Sequence, residues 1–340
     1  RPANRCNTLG RLLFMRVPLP AAMMTTSTGP KSSCGICAMP SFSGNCCARK
    51  ILARIIGAPL LALALALGLA GCSTIKLAYN NLPELAYWWL DGYFDFESNQ
   101  TAAVRDELDR LLAWHRRNEL PQWIALLQKA QALAPGDTAP APASELGPAL
   151  RGRLLAPAEQ AEPAAAELAL TLRPAQLDHL QRKYAKLNAE YRSDWLDKSR
   201  EAQQARRYEQ WLDRAEDFYG PLDEAQKKAM RQRIAESSFS AALFDAERKR
   251  RQGVLLAGLR SLAATRDASP ADARKMLHAY VRTVSDPPAG RWREQQQAMW
   301  QEGCRNFADL HNMSTPAQRA QAVRRLAGYE ADLRALVMQP

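Results

Sequence analysis

Beyond Cys72 this 340-residue chain has one further cysteine, Cys304, and up to Cys72 it has no acidic residue. The first absence excludes an internal disulfide downstream of Cys72, because a single thiol has no partner. The second concentrates the charge. The chain carries 46 Lys plus Arg against 35 Asp plus Glu, a net +11, yet residues 1–72 hold eight of the basic side chains. The remainder is close to neutral, at +3. Its basicity is therefore no argument for nucleic-acid binding, which needs a clustered basic face.

Other absences concern chemistry. The four histidines are His115, His179, His278 and His311, and none pairs with Glu or another His at metalloprotease spacing. Asp178-His179 lacks a third ligand and reads as a charged helix surface. The chain has no Gly-x-Ser-x-Gly elbow and no phosphate-cradling glycine loop. Cys304 has only Arg305 as a basic neighbour and reads as a structural thiol. Cys34-Gly35-Ile36-Cys37 is a CxxC with no second pair to complete a zinc site. No run alternates β-branched and aromatic residues as a strand would. The expectation is a protein without metal, cofactor or small-molecule substrate.

What is present begins with Leu67-Gly68-Leu69-Ala70-Gly71-Cys72-Ser73. Arg49, Lys50 and Arg54 form a positive segment, and the Leu/Ala run from Ala58 to Ala70 forms the apolar one. Together they have the layout of a cleaved signal peptide. Leu69, Ala70, Gly71 and Cys72 then read as a bacterial lipobox, with Cys72 taking a thioether-linked diacylglycerol and an acyl chain such as palmitate at the new amino terminus. Met39 would start a signal peptide of ordinary length over 39–71, leaving 1–38 as upstream translation. Ser73, rather than Asp, follows the cysteine, which by resemblance to Gram-negative sorting signals implies the outer membrane, periplasmic face.

The rest reads as all-α, an elongated multi-helix bundle rich in the helix formers Ala, Leu, Arg, Glu and Gln. Residues 72–98 carry the anchor and an aromatic block, Tyr87-Trp88-Trp89 to Phe96, read mainly as core. A helical hairpin is expected over 99–134, with Val104, Leu108, Leu111, Leu112 and Trp114 on one face. Six prolines between Ala134 and Pro163 predict a linker over 135–163, and a helical domain is expected over 164–340. Within it Pro174 to Tyr219 predicts one long central helix, of about 65–70 Å at the usual rise. Its apolar seam, Leu177, Leu180, Tyr184, Leu187 and Tyr191, lapses between Asp197 and Arg207. A segment with nothing apolar to bury should meet solvent or a polar partner. Arg248-Lys249-Arg250-Arg251 is the one dense basic run, read as a solvated face that could also contact an anionic surface.

One helix start recurs. Phe96…Gln100, Leu172-Arg173-Pro174-Ala175-Gln176, Leu222-Asp223-Glu224-Ala225-Gln226 and Thr315-Pro316-Ala317-Gln318 all place Gln at the third helical position. This is the capping box, in which Gln reaches back to the cap residue's N–H. Arg173 has no acceptor, so its copy is degenerate. These starts resemble the LTxxQ motif of the Spy-like periplasmic chaperones. A broader resemblance rests on Lys76-Leu77-Ala78-Tyr79-Asn80-Asn81-Leu82-Pro83, Trp88-Trp89-Leu90-Asp91, Trp114-His115-Arg116, Glu119-Leu120-Pro121, Asn188-Ala189-Glu190-Tyr191 and Thr315-Pro316-Ala317-Gln318-Arg319. These blocks look like an uncharacterised family of proteobacterial lipoproteins, a domain of unknown function. The resemblance implies a lipoprotein, and Pro135 to Pro163 matches it poorly.

The functional expectation is a non-enzymatic binding, scaffold or chaperone-like protein, tied to the membrane through Cys72 and meeting other envelope proteins. Its rivals are an envelope hydrolase using carboxylates on facing helices, which needs no local motif, and a purely structural lipoprotein.

Overall fold

The computed structural model describes residues 71–339, and all its described regular structure is helical. The signal-peptide residues up to Ala70 and the CxxC lie outside the described residues. The chain divides into two units between Tyr79 and Asn80. Of the first, the described part forms α1 (Gly71–Asn80). The second is one compact unit rather than a hairpin and a domain joined by a linker.

The second unit holds α2 (Leu82–Phe94), α3 (Ser98–Asn118), α4 (Leu120–Leu133), α5 (Pro140–Thr171), α6 (Pro174–Tyr191), α7 (Arg200–Tyr219), α8 (Glu224–Ala235), α9 (Ala241–Ala264), α10 (Pro270–Ser285), α11 (Arg291–Asn312) and α12 (Pro316–Val337). Helices α3 and α4 occupy the stretch expected as a helical hairpin over 99–134. Helices α8 and α9 are separated around Ser237-Ser238-Phe239. Helix α12 packs on α4 and α7, α10 and α11 pack on α5, α9 packs on α6, and α2 packs on α3 and α6.

Two expectations are overturned. The stretch 135–163 is not a linker, since α5 runs through Pro148, Pro157 and Pro163. Each interior proline removes a backbone hydrogen bond and costs about 3 kcal/mol in an isolated helix. The intervening residues are Ala- and Leu-rich, and the helix is clamped along α10 and α11, with Ala166 and Ala169 buried. Packing outweighs local propensity here.

The second concerns the long central helix. Helix α6 ends in a wider π turn, Arg192–Leu196, in which the Asp197 N–H donates to the Arg192 carbonyl at 2.9 Å. Ser199 then caps α7, its hydroxyl accepting from the Ala202 N–H. No continuous helix over 174–219 forms. The π turn keeps Trp195 in the core, where its ring meets Tyr191 and Phe239. The seam thus extends one step past Tyr191 before the break. A second apolar cluster gathers Ala215, Tyr219, Leu222, Met230, Ile234 and Ala322 from α7, α8 and α12. Gly220, at φ +83°, ends α7 in a conformation that disfavours any side chain.

Candidate functional site

The four glutamine starts meet two by two. Gln100 and Gln176 exchange amide hydrogen bonds of 3.3 and 2.8 Å across α3 and α6. Gln226 and Gln318 do the same at 2.9 and 3.1 Å across α8 and α12. Each side-chain oxygen also accepts from the N–H of its own cap residue, Glu97, Arg173, Asp223 or Thr315. Each amide nitrogen finds a carbonyl as well: Thr171 for Gln100, Phe94 and Asp95 for Gln176, Met313 for Gln226, and Pro221 for Gln318. A repeated cap is therefore also a repeated joint. Every bonding site on these amides is used, so the pairs are structural.

The basic run is placed differently from expectation. Arg248 and Arg251 are 4% and 3% exposed, so the four residues cannot form a wet face or a common anionic contact. The physical reason lies on the same helix, three and four residues back. Asp245 bonds Arg248 at 2.6 Å and Lys249 at 2.7 Å. Glu247 takes Arg250 through two hydrogen bonds and Arg251 through one. Arg248 also donates to the Leu187 carbonyl and lies 4.1 Å over the Tyr191 ring. Burial pushes the Glu247 carboxyl up, but hydrogen bonds and charge from Arg250 and Arg251 outweigh it and hold its pKa below the usual value.

The histidines are equally committed. His311 is buried, with Nδ1 2.9 Å from the Tyr219 hydroxyl and Nε2 2.8 Å from the Gly136 carbonyl. A carbonyl can only accept, so Nε2 carries the proton and Nδ1 accepts from Tyr219. His311 thus ties the turn after α4 to α7. Asp178 bonds Arg260, while His179 faces Asp95, so the adjacent pair serves two contacts rather than one metal. His278 reaches Glu162 at 3.1 Å on the surface, and burial lowers the pKa of His115. Cys304 is buried, and burial raises its thiol pKa, away from reactivity. Among the described residues, no three His, Cys, Asp or Glu side chains are grouped as metal ligands.

A cleft of about 360 Å³ lies between the start of α7 and the α8–α9 turn. Arg200, Gln203, Gln204 and Arg207 line it from α7, opposite Ser237, Phe239 and Ser240. This is the polar stretch where the apolar seam lapsed. It neither projects freely nor buries in a core. Arg207 donates to Ser237 Oγ at 2.9 Å and lies 4.5 Å over the Phe239 ring. Ser237 Oγ and the Ser238 N–H in turn donate to Glu302 on α11. Burial lowers the Arg207 pKa, opposed by Glu302. The polar spacing of three and four along α7 was the only sign of this cleft, because its other wall comes from distant sequence.

Leu69 and Ala70 lie outside the described residues, and Gly71 and Cys72 open α1. The described architecture is thus an all-α body in which buried polar groups act as joints between helices. The chain belongs to a family of unknown function, DUF6279, whose model matches residues 92–271. No curated protein and no solved structure matches it.

Proposed function

We propose that this is a lipid-anchored, non-enzymatic binding or scaffold protein of the bacterial envelope, held through Cys72 on the periplasmic face of the outer membrane. The observation that carries the reading is Leu69-Ala70-Gly71-Cys72 behind a short apolar run. The cleft supports a binding role, since Arg200, which lines it, is exposed and presents a cation to an acidic protein segment. The commitment of Asp245, Glu247 and Glu119 to arginines argues against these as a carboxylate pair for hydrolysis. The Gln-anchored starts add a chaperone-like shade through their likeness to the LTxxQ motif.

The test is made in cells. Cys72→Ala should abolish palmitate labelling and leave a larger, unprocessed form. Normal processing and labelling of that variant would refute the anchor. Cross-linking should then trap defined envelope proteins, less so in Arg200→Glu with Arg207→Glu. If the purified lipoprotein traps none and suppresses no client aggregation, the structural-lipoprotein rival prevails.

A further inference from the structure

Helix α2 splits the aromatic block. Tyr93 is buried, Trp89 packs on Tyr93 with ring centroids 4.7 Å apart, and Tyr87 lies beside Phe96. Trp88, in contrast, is 77% exposed, and Leu85 one turn before it is 49% exposed. Three residues apart, they share one helix face. A core reading fits Tyr93 and fails for Trp88.

A second group of atoms marks the same end of the unit. Asn80 donates to Gln339 at 3.0 Å and accepts from Arg116 at 2.9 Å, so the end of α12 is tied to the chain just ahead of α2. Met338, next to Gln339, is 85% exposed. Leu85, Trp88 and Met338 thus lie within about two helical turns of the Asn80 junction, counted along α2 and through the Gln339 bridge.

We propose that this end is a membrane-seating surface, with Trp88 and Leu85 entering the interfacial layer of the bilayer that holds the acyl chains of Cys72. The inference rests on the lipid-anchor reading. Chain length selects the occupant. Even fully extended, the stretch between Cys72 and Asn80 spans only about 30 Å, so an anchored Cys72 keeps this end close to the headgroups. Tryptophan suits that layer, having an apolar body and one N–H for water or headgroups. The acyl chains on Cys72 give residence but leave the body free to turn about its tether, so a second, protein-borne contact fixes orientation.

The experiment uses full-length protein purified from membranes and placed in phosphatidylethanolamine–phosphatidylglycerol vesicles with bromine on the upper acyl chain. Mass spectrometry reports the lipid on Cys72 independently of the fluorescence. Brominated lipid should quench part of the tryptophan emission in wild type and in Trp300→Phe, and that quenched part should fall at least threefold in Trp88→Phe. Both variants alter exposed side chains, so they should fold. Equal quenching in Trp88→Phe and wild type overturns the proposal, as does no quenching in protein that carries the lipid. Protection of Trp88 from acrylamide without bromolipid quenching overturns it too, assigning the face to a protein partner. If mass spectrometry finds no lipid, the anchor reading falls, and Trp88-dependent quenching still decides whether this face meets the bilayer.

Discussion

The amides of Gln226 and Gln318 exchange two hydrogen bonds, at 2.9 and 3.1 Å, and each also closes the first turn of its own helix. Gln226 is 1% exposed. Gln226 thereby helps set where α8 begins and, through Gln318, how α8 meets α12. Replacing it with methionine keeps the shape but strands the Asp223 N–H and the Met313 carbonyl. Both bonds are only part-buried, so Gln226→Met should lose about 1–3 kcal/mol in urea unfolding. The double variant with Gln318→Met should lose less than the sum, by about 1 kcal/mol or more, because the partners share one joint. Strict additivity would show that the amides do not cooperate.

Glu247 holds Arg250 and Arg251 from the middle of α9. Glu247→Gln keeps the volume and removes the charge, leaving a buried guanidinium without its counter-ion. The expected loss is about 3 kcal/mol, the usual cost of breaking a buried pair from one side. The pH dependence follows from the lowered folded pKa. A carboxylate depressed in the folded state contributes stability that is complete above the unfolded value, about 4.3, and is lost as pH falls through the folded one. Glu302, whose pKa is also held down against burial by Ser238, Ser237 and Arg207, adds to the same window. Acid unfolding of Glu247→Gln should therefore show a shallower slope below about pH 4.3 than wild type.

The helical class was legible because caps and three-four apolar spacing are local and strong. Asp223 and Thr315 cap the helices they were read to open. Arg248 and Arg251 were misplaced although Asp245 and Glu247 stand three and four residues before them. The pairing was visible, but its burial comes from α6 and α11, through the Leu187 carbonyl and the Trp292 ring. The prolines of α5 misled for the same reason, since a local penalty is offset by distant packing. Asp197 to Arg207 announced an interruption, yet the π turn depends on where Trp195 must point. The cleft itself joins α7 to residues thirty to forty positions away, which no local pattern encodes.

Gly147 tests the packing of α5 directly. A Cβ there would stand 2.3 Å from Trp300 Cζ2 on α11, and the partner is a rigid ring. Gly147→Ala should therefore expel the half-exposed indole and cost about 1–3 kcal/mol from overpacking, despite alanine's helix preference of about 1 kcal/mol. In a Trp300→Ala background the sign should reverse, and the same substitution should stabilise. Thermal unfolding of the four proteins checks both signs, and a stabilised single variant would show that α5 is not clamped there.

The last prediction concerns alkaline conditions. Burial raises the hydroxyl pKa of Tyr93 to about 12 and pushes those of Tyr184, Tyr191 and Tyr219 further up. For Tyr219 the desolvation is compounded by position, because its O–H donates to His311 Nδ1 and cannot do so once ionised. A tyrosine whose folded pKa exceeds the unfolded value of about 10 contributes stability that is complete below pH 10 and is lost as pH rises through the folded value. The protein should therefore lose stability progressively from about pH 10 upward, with tyrosinate absorbance appearing together with the loss of helical circular dichroism rather than before it. Tyr219→Phe removes one of these groups and strands His311 Nδ1. It should be about 1–2 kcal/mol less stable at neutral pH but lose stability less steeply above pH 10. Tyrosinate absorbance complete before any loss of helix would show that these hydroxyls ionise within the folded protein, and the burial argument would fail.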